Sequence, residues 1–135
     1  MEKILKGYIK HESCGLAGKR LKECSSVLTK YGISFPPLYA GTINIRLDEP
    51  FLTPSWSSVI YIPQKEIDAV APGYGEWWKF IPVKKINSLP IEGFIYRNRQ
   101  HVHGDNGAEL LTVDLRNNVA FNLVPGAEFN LTLLY

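Results

Sequence analysis

Three short stretches carry the side chains that could do chemistry. In Gly41-Thr42-Ile43-Asn44 a hydroxyl and an amide carbonyl stand two residues apart. If the run is a strand, positions i and i+2 share a face, so Thr42 and Asn44 can aim their oxygens at one spot. Hard oxygen ligands of this kind suit Mg²⁺, which keeps several waters and shares the phosphate oxygens of a nucleotide. The same pair also reads as the outer face of an ordinary strand. Arg46, on that face, is then either a solvated charge or a group that steers phosphate.

The second stretch is SCGLAGKR, residues 13–20. Backbone N–H groups at a glycine turn and at a helix start attract phosphate, and Lys19 and Arg20 would reinforce them. The spacing is neither a Walker A loop nor a dinucleotide fingerprint. On pattern alone, a connector with two solvated basic residues is the simpler reading. The third stretch is HVHGDNGAE, residues 101–109. His101 and His103 share a face if extended, and Glu109 follows a glycine turn. Zinc would want a third ligand, and no cysteine lies nearby, so no stoichiometric zinc is expected. A polar loop that reads a heteroaromatic ligand, or a plain exposed hairpin loop, fits the same residues.

Other candidates carry less. Spacing yields no Ser-His-Asp or Cys-His set, and nothing places a base beside Cys14. Trp56, Trp77 and Trp78 could stack on a flat ligand or simply pack. Adjacent Trp77 and Trp78 point to opposite faces of a strand, so at most one can lie fully in a core.

The elements that must position these groups are mostly strands. Residues 3–11 read as a first strand. Leu16, Leu21, Cys24, Val27, Leu28 and Tyr31 recur at roughly helical spacing, which predicts a helix over 18–31 that Gly32 terminates. Ile43, Ile45 and Leu47 alternate with Asn44 and Arg46, which predicts a strand over 41–47. Further strands are expected over 56–63, 77–86, 91–99 and 108–115, each rich in β-branched or aromatic residues. Pro125-Gly126 sets a turn ahead of a last strand in which Phe129, Leu131 and Leu133 alternate with polar residues. This pattern predicts a mainly β protein: a small closed barrel of six or seven strands with one α-helix after the first strand. Closure removes exposed sheet edges.

The chain has 135 residues, enough for one domain spanning 1–135 with a sizeable core. Its net charge of +2, without a dense basic tract, gives no support for nucleic-acid binding. No run is long and apolar enough for a signal peptide or a membrane span, so a cytoplasmic protein without membrane association is expected. Two cysteines at this spacing make no disulfide framework and are read as reduced thiols. Asn130-Leu131-Thr132 is read as a chance match to a glycosylation sequon.

Taken together, these stretches resemble the archaeal CTP-dependent riboflavin kinases, small barrels related to the bacterial riboflavin kinases. That family has a glycine loop after its first strand, then a helix, then a segment like F-x-P-Y-x-G-T-[LI]-N-[LIV]-[KR]-L, and a late F-N-L-x-x-G-D turn. Here Cys14–Arg20, the run ISFPPLYAGTINIRL (33–47) and the run FNLVPGAE (121–128) stand in that order and spacing. The resemblance implies transfer of phosphate from CTP to riboflavin, giving FMN and CDP. It implies Mg²⁺ at Thr42 and Asn44, and nucleotide contacts from Gly15, Leu16, Ala17, Gly18, Lys19 and Arg20. It implies flavin contacts from His101 and Glu109, with either of them able to orient the flavin hydroxyl. The chain departs from the family in three places. It has GLAGKR where the family tends to GLGEGR, and His101 where the family has Thr. Near Asp114–Asn118 the late nucleotide-contacting pattern is not evident. A non-catalytic flavin- or nucleotide-binding barrel, acting as a sensor or regulatory module, is the alternative expectation. A plain interaction domain is the third.

Overall fold

Alternation of apolar and polar residues becomes one continuous sheet. The structure is a computed structural model; it describes residues 2–10, 16–33, 43–48, 58–73, 77–98, 107–112 and 126–134. Its strands are β1 (Glu2–Ile9), β2 (Ile43–Leu47), β3 (Ile60–Ile62), β4 (Trp78–Ile86), β5 (Gly93–Asn98), β6 (Gly107–Thr112) and β7 (Glu128–Leu134). They lie in the spatial order β3-β4-β5-β6-β2-β1-β7, and β4 also pairs with β7. That last pairing closes six antiparallel strands into a barrel and leaves β3 as an extra strand beside β4.

The barrel encloses an apolar cluster. Leu5, Ile43, Ile45, Leu47, Ile81, Val83, Ile95, Leu110, Leu131 and Leu133 are all buried in one cluster. Two glycines permit close approach of neighbouring backbones. A Cβ on Gly93 would stand 2.4 Å from the Leu111 carbonyl oxygen, and one on Gly7 would stand 2.8 Å from that of Arg46. Both positions therefore require the smallest residue.

Closure depends on a handover along β4. Residues 78–80 of that strand pair with β3, whereas Val83 to Ile86 pair with β7 across a register shift. Pro82 stands between the two sections, where a proline is tolerated because the ladder is interrupted. Beyond β4 the chain reverses through Asn87 and Ser88, both at positive φ (52° and 65°), with Ile86 and Leu89 exchanging backbone hydrogen bonds of 3.0 and 3.1 Å. Two central residues in the left-handed region are the mark of a type I′ turn.

A second apolar layer covers part of the outer wall. The helices are α1 (Leu16–Glu23), α2 (Ser25–Lys30) and α3 (Gln64–Asp68). Leu21, Cys24, Val27 and Leu28 pack with Ile33, Ile62, Ile67, Trp78, Phe80, Tyr96 and Leu111. The helix expected over 18–31 thus begins at Leu16 and divides at Cys24, whose φ of −102° and ψ of 23° leave the helical range. Its thiol is buried in this layer. Gly32 ends α2 as expected. At φ +79° its N–H bonds to the Thr29 carbonyl (3.0 Å), while that of Ile33 bonds to Leu28 (2.9 Å). This is the Schellman arrangement, with Leu28 and Ile33 supplying its apolar contact.

The short helix α3 has no counterpart in the sequence expectations, which counted one helix. It starts directly after Pro63. Five residues are too few for a 3.6-residue period to register. The strand expected over 56–63 reduces to Ile60–Ile62, with 56 and 57 outside the described residues. Those expected over 91–99 and 108–115 are seen as Gly93–Asn98 and Gly107–Thr112.

Candidate functional site

The second wall layer borders a polar row. Asn44 on β2 stands directly opposite Glu109 on β6, and Glu109 directly opposite Tyr96 on β5. Cross-strand partners point to the same face, with Cβ atoms roughly 4.5–5.5 Å apart. Ile43 and Ile45, the neighbours of Asn44, point into the barrel. Asn44, Glu109 and Tyr96 therefore all project from the outer wall, on the face that Tyr96 shares with Phe80 and Trp78.

None of the three is solvated. Asn44 is 8% exposed, Glu109 6% and Tyr96 1%. Asn44 was expected on an outer strand face, and it does turn away from the barrel interior, yet it is buried there. Its Oδ1 is shielded from solvent and has no hydrogen-bond partner among the described residues. Leaving a buried acceptor unmade costs about 1–3 kcal/mol. The backbone holds it firmly, because the Asn44 carbonyl accepts a 3.0 Å hydrogen bond from the Lys10 amide. Two residues further along the same face, Arg46 opposes Gly107 and is exposed.

These residues fit a divalent cation. An amide oxygen and a carboxylate on one face are hard oxygen donors, and the Asn44 Oδ1 is an acceptor without a hydrogen-bond partner among the described residues. Thr42, the expected second ligand, lies outside the described residues, as do Gly15, His101, His103, Cys14 and 114–118.

The remaining expected nucleotide-contacting residues, Leu16, Ala17, Gly18, Lys19 and Arg20, are placed within α1 instead of in a loop ahead of it. Their backbone N–H groups include those at the start of that helix, which intrahelical bonds leave unused. At the start of β4, Lys79 lies over the Trp77 ring at 5.2 Å and over the Tyr61 ring at 5.9 Å.

Sequence reasoning treated Tyr96 only as a strand residue. Its place beside Glu109 follows from pairing between β5 and β6, which no local pattern encodes. Among the described residues, no helix is long and apolar enough to cross a membrane. Neither a scan of protein-family models nor a search of curated proteins finds a match to this chain.

Proposed function

We propose that this chain is a riboflavin kinase-like phosphotransferase that moves the γ-phosphate of CTP to riboflavin. The single observation that supports it is the Asn44–Glu109 pair: a buried, unpartnered amide oxygen opposite a buried carboxylate. The resemblance assigns these two positions to the metal and to the flavin. Their direct opposition brings the two roles to one spot, which phosphoryl transfer requires.

Such transfer is chiefly a matter of positioning and charge neutralisation. Asn44, with Thr42 as its expected companion, would hold magnesium, which would supply positive charge to the phosphate oxygens. Glu109 accepts a hydrogen bond from the terminal hydroxyl of the flavin side chain and points its oxygen at the γ-phosphorus. A bond forms between that oxygen and phosphorus, the bond to the β–γ bridging oxygen breaks with its electron pair left on CDP, and the hydroxyl proton passes to solvent. FMN and CDP are the products. The start of α1 and its basic residues are where the nucleotide phosphates would be received. CTP as donor follows from the resemblance of the GTINIRL run.

The test is incubation of the protein with riboflavin, Mg²⁺ and each nucleoside triphosphate in turn, with FMN separated by chromatography. FMN formed with CTP is the expected result. Tight flavin binding without turnover would instead establish a non-catalytic flavin-binding barrel, and no binding of any of these ligands would leave a plain interaction domain.

A further inference from the structure

We infer that Glu109 supplies the negative charge of the cation site whose amide ligand is Asn44, an inference that rests on the kinase reading for the reason an ion is there. Magnesium is usually held through one or two carboxylates with waters and phosphate completing its shell. The two ligands expected from sequence, Thr42 and Asn44, are both neutral. The sheet register provides the missing charge, because the residue directly across from Asn44 is Glu109.

Register and burial bring the two groups together. Both are more than nine-tenths buried, at 8% and 6% exposure. The Asn44 oxygen has no hydrogen-bond partner among the described residues. A divalent ion between the two strands would give that oxygen its partner, with the carboxylate directly across from it. Glu109 is one carbon longer than Asn44, and its carboxylate would hold such an ion directly or through one retained water. The same carboxylate is then shared by the cation and the flavin hydroxyl, and Glu109 is a metal-site residue as well as a substrate contact.

The experiment is a Mn²⁺ titration of the full chain without nucleotide, reading the loss of the free-ion signal by electron paramagnetic resonance. Wild type is expected to bind one Mn²⁺ per chain. Glu109→Gln and Asn44→Ala should each weaken binding by at least about tenfold, the scale found when groups supporting a metal are removed. Asp48→Asn, an exposed acid outside the row, should leave it unchanged. Circular dichroism verifies the fold of each variant. Glu109→Asp keeps the charge and withdraws it by one carbon; it should bind more weakly than wild type and serves if the Gln variant does not fold.

Wild-type affinity in folded Glu109→Gln or in Glu109→Asp overturns the inference, as does a wild-type chain that binds no Mn²⁺. Failure of the kinase reading looks different: Mn²⁺ held through both residues, with no FMN formed from riboflavin and any nucleoside triphosphate.

Discussion

Asn87 and Asn130 exchange two hydrogen bonds of 2.8 Å. The Asn87 amide donates to the Asn130 carbonyl, and the Asn87 side-chain oxygen accepts from the Asn130 amide. Asn87 thereby extends the β4–β7 pairing that closes the barrel into the turn that follows it. The left-handed conformation at this position suits Asn, whereas Ser88 pays a steric penalty for the same conformation. Asn87→Gly, which keeps the conformation and loses the side-chain bond, should cost about 1 kcal/mol. Ser88→Gly should stabilise by about 0.5–1 kcal/mol, since glycine enters this region without strain. Urea denaturation of both variants checks the pair, and a destabilised Ser88→Gly would contradict the turn geometry.

Trp77 and Trp78 separate two kinds of aromatic residue. Trp78 is fully buried and meets Tyr96 edge to face, with ring centroids 5.8 Å apart. Trp77 is half-buried and stands 6.0 Å from the Tyr61 ring. Trp78→Ala should cost about 3–5 kcal/mol through the cavity it leaves. Trp77→Ala should cost clearly less, because solvent already reaches one side of the ring. Chemical denaturation of the two variants in one buffer makes the comparison.

Asn44→Ala tests whether the amide serves stability or function. Its shielded, unpartnered oxygen is an energetic burden in the folded chain. Removing it should therefore change stability by less than about 1 kcal/mol, since relief of the orphaned acceptor offsets the lost packing. Mg²⁺-dependent FMN formation should vanish in the same variant. A folded Asn44→Ala protein with full turnover would remove the metal reading.

The bridge from α2 to α3 gives a pH signature. Lys30 Nζ donates to both oxygens of Glu66 at 3.0 and 3.1 Å. That hydrogen bond, helped by the opposite charge of Glu66, raises the Lys30 ammonium above its ordinary value of 10.5. A raised lysine contributes stability that is present in full below the unfolded value and is lost as pH rises through the folded one. The stability difference between wild type and Lys30→Met should hold steady from neutral pH upward and shrink once pH passes 10.5. The pair is solvent-exposed, so added salt should shrink it too. Urea midpoints measured across pH and salt would reveal a constant difference if the bridge carries no such contribution.

Most of the barrel was legible because each strand announces its own buried side. Ile43, Ile45 and Leu47 on β2, and Phe129, Leu131 and Leu133 on β7, alternate as a one-faced strand must, and both sets line the interior. Gly32 marked its helix end for an equally local reason. The break at Cys24 was hidden because helical spacing runs through it on both sides. The site was half legible. Period two assigns Asn44 to the face away from the interior, but whether that face is wet or covered depends on segments far along the chain. The opposition of Asn44 to Glu109 is a contact across 65 positions of sequence, set by strand order and register, which no window of residues contains.

One edge of β4 serves two partners, and this divides the molecule mechanically. Because β7 alone occupies the closing half, β3 and α3 can peel away without breaking a hydrogen bond of the six-strand ring. The amides of β3 should then exchange with deuterium ahead of those in β1 and β7, which pair with each other over seven positions. The ring would persist as the last structure to melt, with the β3–α3 segment as a detachable flap on its wall.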